Sequence, residues 1–333
     1  MPDPIGERDK INGMPVTTAA PIETSAGDER FQITPRILAI IAAVARHGVL
    51  SSTQVAALDG GSKQRCIRFL QHLVEMRLLR RIHRANDPVL PSYFGAHVFA
   101  VTAKGLRLLR GAGIALAVSP KRSNVLLSHE LAVADAMLAI AGAIGERPHL
   151  RLIDQPELMA TMPLATRELR RPLRLHAQVQ AHQFPALRHL LTDTTALGVE
   201  PDRLIAIARQ DARQDDERWL AASYAIELDR GGEPISTKRL RGRATWMRKT
   251  LAYVAAWSAG THRVQWGDIC RSFRVLGIVP SRARARNIID MQQLAGAPPG
   301  LFLFTTADAL RIQGALSPIW MSAKADNVSL VEE

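Results

Sequence analysis

The stretch that decides the fold is PDRLIAIARQDARQDDERWLAASYAIELDR, residues 201–230. Two apolar runs, 203–208 and 221–228, stand on either side of a polar segment that contains four acidic residues. Apolar runs of this length with polar turn residues between them are typical of paired β-strands. The sequence therefore predicts two neighbouring strands joined by a charged turn.

Acidic residues stand at the ends of both predicted strands. Asp202 opens the first strand, and Glu227 and Asp229 end the second. If the strands are neighbours, Asp202 and Glu227 lie at one edge of the sheet, where a pair of carboxylates is suited to hold Mg²⁺. Such an ion polarises a phosphodiester and activates a water. The alternative is that Asp202 caps a turn, while Glu227 and Asp229 pair with Arg230 or with the basic segment that follows.

That basic segment is predicted to be a helix. The apolar spacing from Leu240 to Val254 predicts one long helix over residues 237–257. Its opposite face is basic and has two interpretations, a surface that lies along a phosphate backbone and a solvated helix face. Lys249 and Tyr253 stand four residues apart and therefore share a face.

Helices and strands alternate in the rest of the C-terminal half. The pattern predicts a helix at 126–144, strands at 150–153, 273–279 and 301–304, a helix at 282–293 and a short helix from Ala307. Residues 161–198 show no clear periodicity. The alternation indicates an α/β core.

The N-terminal third has a different order of elements. It predicts helices near 34–47, 51–58 and 63–76, two strands near 78–82 and 97–101, and a helix near 102–111. Ser51 and Gln54 have the spacing of a capping box at the second helix. This is the order of a winged helix-turn-helix, in which the third helix enters the major groove of DNA.

The third helix and the strand after it carry the candidate DNA-binding residues. On the helix, an Arg side chain can donate two hydrogen bonds to a guanine edge, and a Gln side chain can make two with an adenine edge. The residues at the start of the helix are suited to bind a phosphate group. The arginines of the following strand are placed for backbone contact. The alternative is a solvated surface on a module that binds protein, and Cys66 is interpreted as a small buried residue. The candidates are Ser62, Lys63, Gln64, Arg65, Arg68, His72, Arg80, Arg81 and Arg84.

Charge and composition narrow the class of partner. The chain of 333 residues has 43 Lys plus Arg against 31 Asp plus Glu, a net charge of +12, which favours a polyanionic partner. Its two cysteines exclude a disulfide framework. Polar residues interrupt the longest apolar stretches, and the first residues lack the order of a secretory signal. We therefore expect a cytoplasmic protein with no membrane partner.

These features together resemble the replication-relaxation family of plasmid and mobile-element proteins. The residues that carry the resemblance are ITPR at 33–36, HGVLS at 47–51, FAVTAKG at 99–105, SHELAVAD at 128–135, Pro201 with Asp202, ELDRG at 227–231, and Lys249 with Tyr253. The resemblance implies an α+β or α/β chain with an N-terminal winged helix-turn-helix, followed by a restriction-endonuclease-like domain of the PD-(D/E)xK type. It also implies a role in replication or in DNA relaxation.

The resemblance also suggests how the acidic residues are used. Glu130, Asp202 and Glu227 match the acidic positions of the nuclease core, with Mg²⁺ as the implied cofactor. The lysine expected two residues after Glu227 is Asp229, so the group that stabilises the transition state is missing from its usual place. Either Lys249 supplies it from the neighbouring helix, or the domain serves only binding or dimerisation.

A tyrosine nucleophile is a further alternative, because relaxation of supercoiled DNA requires a nick that can be resealed. The chain offers only Tyr93, Tyr224 and Tyr253, and no His-x-His metal motif accompanies them. The sequence therefore disfavours this mechanism.

We expect a tail at 1–32, a winged helix-turn-helix at 33–112, a linker at 113–123, a nuclease-like domain at 124–322 and a tail at 323–333. The leading hypothesis is a protein of a plasmid or mobile element that binds double-stranded DNA, with a nuclease-like domain that is weak or inactive. Whether the protein forms a homodimer is left open. The alternatives are a Mg²⁺-dependent endonuclease or nickase that uses Asp202 and Glu227 with Lys249, and a winged-helix transcriptional regulator whose C-terminal half dimerises.

Overall fold

The computed structural model describes residues 33–83, 93, 95–114, 116, 124–210, 219–238, 240 and 244–331. The chain divides into two compact units, Met1–Leu138 and Ala139–Glu333, and it mixes helices with sheets, as an α+β protein does. The domain limits stay predictions, because the tail at 1–32 and most of the linker at 113–123 lie outside the described residues.

The N-terminal unit contains four helices, three strands and the first part of a fifth helix within the described residues. They are α1 (Pro35–His47), β1 (Leu50–Ser51), α2 (Ser52–Asp59), α3 (Lys63–Glu75), β2 (Leu79–His83), β3 (Val98–Val101), α4 (Ala103–Gly111) and α5 (Asn124–Gly145). The strands form an antiparallel sheet in the order β1-β3-β2. The predicted elements are confirmed, and the two-residue strand β1 is an addition that the sequence did not reveal.

Side-chain caps start the helices of this unit where the sequence predicts them. The hydroxyls of Thr34, Ser51, Ser62 and Thr102 accept hydrogen bonds from backbone amides in the first turns of α1, α2, α3 and α4. At α2 the capping box is complete, because the Ser51 amide also donates to the Gln54 side-chain oxygen at 2.8 Å.

The inner face of α3 differs slightly from the predicted one. Cys66, Leu70 and Leu73 are buried, whereas Ile67 and Val74 are only half-buried. The predicted burial of Cys66 is confirmed, and burial raises the pKa of its thiol to about 11. The charged face of α3 therefore points to solvent.

Helix α5 contains one stretch, Leu127–Gly145, that is long and apolar enough to cross a membrane by length and composition. We expected no membrane span here, because polar residues interrupt the stretch. Leu131, Ala134 and Ile140 are fully buried within the fold. The core helix of a soluble protein passes the same test, so this finding is weak evidence for a membrane span.

The C-terminal unit is built on a mixed five-stranded sheet. Its elements after α5 are β4 (Leu150–Ile153), α6 (Gln155–Thr161), α7 (Leu164–Arg167), β5 (Leu175–Gln180), β6 (Thr194–Val199), β7 (Arg203–Gln210), β8 (Trp219–Leu228), α8 (Trp246–Ser258), α9 (Thr261–Trp266), β9 (Phe273–Val279), α10 (Arg282–Leu294), β10 (Phe302–Thr306) and α11 (Ala307–Gln313). The sheet order is β10-β9-β8-β7-β4. Strands β8, β9 and β10 run parallel, and β7 and β4 each pair antiparallel with their neighbour.

The stretch that showed no clear periodicity contains a second small sheet. Strands β5 and β6 pair antiparallel, and Leu175, Ala177 and Val179 on one face of β5 are buried in the same core as α8. His176 and Gln178 alternate with them on the exposed face. This two-residue period in LHAQVQ was a strand signal that the sequence analysis missed.

The predicted long helix over 237–257 is wrong at its start. The helix begins at Trp246, where the Thr245 side chain accepts a hydrogen bond from the Arg248 amide at 3.2 Å. Pro234 and the Gly231–Gly232 pair precede it in an irregular segment, and a threonine cap starts a helix more readily than it continues one. Lys238 therefore shares no helix face with Lys249, and the basic residues Arg239, Arg241 and Arg243 lie outside the described residues.

Candidate functional site

Strands β7 and β8 bring the two predicted acids to one edge of the sheet. Arg203 lies opposite Ile226 in the register, and the Asp202 amide donates to the Ile226 carbonyl at 2.9 Å. One oxygen of the Asp202 carboxylate accepts a hydrogen bond from the Leu228 amide at 2.8 Å. Asp202 therefore caps the end of β8, as the alternative interpretation proposed, while it stands beside Glu227.

Glu227 lies at the centre of a buried polar cluster. Its side chain is 1% exposed. Its Oε2 accepts a hydrogen bond from Lys249 Nζ at 2.8 Å, and its Oε1 accepts one from the Tyr253 hydroxyl at 2.6 Å. Burial raises the pKa of Glu227 to about 7, a rise that Lys249 opposes and Asp202 supports.

Lys249 links two carboxylates. Its ammonium group also donates to Glu233 Oε2 at 2.8 Å and lies 5.3 Å from the centre of the Trp246 ring. Burial alone would lower the pKa of Lys249, but the charges of Glu227 and Glu233 outweigh it, so the pKa is raised. The lysine is therefore charged at neutral pH. The predicted common face of Lys249 and Tyr253 is confirmed, because both contact Glu227.

Asp229 stands where an active nuclease of the PD-(D/E)xK type would be expected to have a lysine, and it has its own partners. Its Oδ2 accepts hydrogen bonds from Trp246 Nε1 at 2.8 Å and from Arg284 Nε at 2.6 Å, and its Oδ1 accepts one from the Gly231 amide at 2.7 Å. Arg284 also donates to the Glu233 carbonyl. The carboxylate thus ties the segment after β8 to the starts of α8 and α10.

Gly277 makes room for these contacts. It lies opposite Glu227 in the parallel pairing of β8 with β9. A Cβ atom at this position would overlap the ring of Phe304 and lie 3.3 Å from the Trp246 indole. The missing side chain lets Trp246 and Phe304 pack edge to face over the sheet.

Tyr253 is a hydrogen-bond donor in this cluster. It is fully buried, and burial together with the Glu227 carboxylate raises its pKa well above the ordinary value. A nucleophilic tyrosine must reach the scissile phosphate and lose its proton, and neither condition holds here.

The oxygens of the predicted metal-binding acids are engaged in hydrogen bonds in this structure. Mg²⁺ takes six oxygen ligands in octahedral geometry, but both oxygens of Glu227 and one of Asp202 already accept hydrogen bonds. The described part of the chain contains no group of three or more His, Cys, Asp or Glu side chains that could hold a metal ion. Glu130, the third predicted ligand, lies on α5, and its part in a metal site stays a prediction. In this structure the donors form a lysine-bridged cluster, and the metal site stays a sequence-based prediction.

The raised pKa of Glu227 predicts a pH dependence of stability. The carboxyl group is protonated in the folded and the unfolded chain below its ordinary value of 4.5, and the folded chain disfavours its charge as the pH rises through about 7. The free energy of unfolding should therefore fall between about pH 5 and pH 8, and Glu227→Gln should remove up to about 3 kcal/mol of that fall. Urea unfolding across this range measures it. Parallel pH profiles for the two proteins would contradict the prediction.

The second candidate surface is the outer face of α3. Lys63, Gln64, Arg65 and Arg68 are exposed on it, and Arg80 and Arg81 are exposed on β2. Among the residues that the structure describes, none of these lysine and arginine side chains forms an ion pair.

Of the other predicted DNA-contact residues, two make contacts within the protein and one lies outside the described residues. The Ser62 hydroxyl accepts a hydrogen bond from the Arg65 amide at 3.3 Å, so it is engaged as the cap of α3. His72 lies 3.3 Å from Glu75. Arg84 lies outside the described residues.

Basic residues beside the end of α3 were not among the predicted contact residues. Arg77 is exposed and has φ of 58°, a conformation that is uncommon for residues other than glycine. On α4, Lys104 and Arg107 are exposed, and the Lys104 ammonium donates to the Met76 carbonyl at 3.1 Å. The three-residue spacing on α4 was a signal for a shared face, whereas nothing in the sequence marked Arg77.

Fold and sites together define a class, an α+β protein of two units with a basic helical surface on the first and a buried acid–lysine cluster on the second. The chain belongs to the replication-relaxation family, whose model matches residues 41–269. That match includes α3, Glu227 and Lys249. No curated protein and no solved structure matches the chain. Family membership supports a role related to replication or relaxation.

Proposed function

We propose that this protein binds double-stranded DNA through a winged helix-turn-helix in its N-terminal unit and holds that DNA without cutting it. In this proposal α2 and α3 form the helix-turn-helix, and β2 and β3 are the wing strands. The observation that carries the proposal is the row of exposed cations on α3, backed by the buried Cys66, Leu70 and Leu73. Such a helix presents its charged face to a ligand, while its apolar face packs in the core and holds the helix in place.

The dimensions of α3 suit a major groove. Its 13 residues give a length of about 20 Å, and the groove admits an α-helix. Arg65 and Arg68 are three residues apart and share a face, from which guanidinium groups can reach guanine edges or phosphates. Arg80 and Arg81 extend the positive surface onto β2.

The C-terminal unit supports binding better than cutting. We propose that it keeps a restriction-endonuclease-like sheet in which the Lys249 ammonium neutralises the acids that a metal ion would otherwise bridge. The 2.8 Å contacts of Lys249 with Glu227 and with Glu233 support this interpretation. A nuclease would need Glu227 to exchange its lysine and tyrosine partners for a metal ion and a substrate.

We also propose the genetic element and the cellular compartment in which the protein acts. The resemblance points to a plasmid or another mobile element, and the two free, buried cysteines Cys66 and Cys270 suit the reducing cytoplasm. We expect no membrane partner. Dimerisation stays a prediction that sedimentation can test.

The direct test of DNA binding is the affinity of the full chain for a duplex, measured at several salt concentrations. Binding through phosphate contacts makes the logarithm of the association constant fall linearly with the logarithm of the salt concentration, with a slope of about −0.9 per contact. We expect a clear negative slope. Absence of duplex binding at low salt would overturn the proposal.

A further inference from the structure

Asp135 on α5 connects two elements of the proposed DNA-binding unit. One carboxylate oxygen, Oδ1, accepts a hydrogen bond from Gln54 Nε2 at 2.6 Å. The other, Oδ2, accepts one from the Tyr93 hydroxyl at 2.7 Å. Through these two hydrogen bonds, one side chain connects α2 with Tyr93, which lies between β2 and β3 in the sequence.

The α2 end of this link is rigid. Gln54 is buried and closes the capping box with Ser51 through its oxygen. Its amide nitrogen also donates to the Leu131 carbonyl at 2.9 Å. Because both ends of the Gln54 amide are held, Asp135 is bonded to a fixed point at the start of the helix-turn-helix.

The Tyr93 end of the link leads to the wing strands. The Tyr93 ring and Ile82 of β2 pack against one apolar cluster that contains Val98 of β3 and Leu131 of α5. Arg81 precedes Ile82 on β2 and is exposed. A displacement of the Tyr93 ring would therefore disturb the packing of the strand that presents Arg81.

We infer that Asp135 is a positioning residue that, through Tyr93, holds the wing strands in register with the helix-turn-helix for contact with duplex DNA. This inference rests on the proposed function and deepens it, because it assigns a role in DNA binding to a residue that does not itself touch DNA. An aspartate in direct contact with DNA would be repelled by the phosphates. Asp135 acts instead through its hydrogen-bond partners, Gln54 and Tyr93.

The test uses Tyr93→Phe, which removes one hydroxyl group and keeps the ring that packs on the apolar cluster. We expect the dissociation constant for duplex DNA to rise about 3- to 10-fold, the value of one hydrogen bond. The matched control is Tyr224→Phe, which removes a hydroxyl that donates to the Leu330 carbonyl at 2.9 Å in the C-terminal unit. It should leave duplex affinity unchanged.

A second readout separates positioning from a general loss of structure. Arg81→Ala and Arg65→Ala are each introduced into the native chain and into Tyr93→Phe. Positioning of the wing predicts that the effect of Arg81→Ala shrinks at least about twofold in the Tyr93→Phe chain, while the effect of Arg65→Ala on α3 stays the same.

The remaining outcomes decide against the inference. Unchanged affinity in Tyr93→Phe would overturn it, and so would an equal change in the effects of Arg81→Ala and Arg65→Ala. If both arginine variants bind like the native chain already, the proposed function fails and this inference fails with it. If the arginine variants lose affinity and Tyr93→Phe does not, only the role of Asp135 is lost.

Discussion

Replacement of Lys249 by methionine should lower the free energy of unfolding by about 3–5 kcal/mol at pH 8, because it leaves buried carboxylates without their counter-charge. Glu227 and Glu233 both accept hydrogen bonds from this ammonium group, and Glu227 is almost completely buried. In the native chain pH 8 lies above the pKa of Glu227, and Lys249 lowers that pKa, so the loss measured for the variant at pH 8 includes the cost of driving this carboxyl group towards its protonated form. Urea unfolding followed by tryptophan fluorescence provides the value.

Two further variants define what the loss means. Lys238→Met removes an exposed lysine from the same unit and should change the stability by no more than about 0.5 kcal/mol. Lys249→Met combined with Glu227→Gln should recover part of the loss, because the unpaired charge is removed. A loss below about 1 kcal/mol in Lys249→Met would show that the lysine does not hold the cluster together.

Removal of two arginines from α3 should have the largest effect on DNA binding. Arg65→Ala with Arg68→Ala should raise the dissociation constant for duplex DNA about 30-fold or more, since each well-placed arginine contact is worth about 1–3 kcal/mol. If both arginines contact phosphates, the salt slope should decrease in magnitude by about 2. A fluorescence-anisotropy titration at several salt concentrations measures both quantities.

The control for charge alone is a second pair of arginines. Arg167 and Arg170 are exposed, lie three residues apart and belong to the C-terminal unit. Their double alanine variant removes the same charge and should change the affinity less than about 3-fold. Equal losses in the two double variants would mean that net charge, and not α3, binds the DNA.

The sheet of the C-terminal unit was predictable because its strands are nearly continuous apolar runs. The runs at 203–208 and 221–228 became β7 and β8, and their acids stand at one edge because the strands pair antiparallel. The partners of those acids were harder to predict. Lys249 approaches Glu227 from a helix that starts 18 residues after β8, and no local pattern encodes that distance.

The error at 237–257 has a general physical cause. Apolar spacing continued through Leu240, which is buried, although the backbone there is not helical. Thr245 was available as a cap, but a single threonine is a weak signal inside a periodic stretch. The hydrogen bonds of Trp246 and Met247 amides to Pro234 and Ile235 carbonyls are tertiary contacts that sequence spacing does not reveal.

The N-terminal unit was predicted more completely because its signals are local. Caps at Thr34, Ser51, Ser62 and Thr102 fix the starts of its helices, and each cap needs only residues three positions away. The role of Asp135 depended on a contact with Gln54, 81 positions away in the sequence. Contacts of this range decide which polar residues are held in place and which remain available for a ligand.

The most direct test of binding without cutting is one incubation of supercoiled plasmid with the native chain and Mg²⁺. The mixture is run on a gel before and after the protein is removed. We predict that the plasmid is shifted while the protein is present and remains supercoiled afterwards, in the native chain and in Asp202→Ala alike. Nicked plasmid from the native chain, absent with Asp202→Ala, would contradict binding without cutting and indicate a nuclease that depends on Asp202.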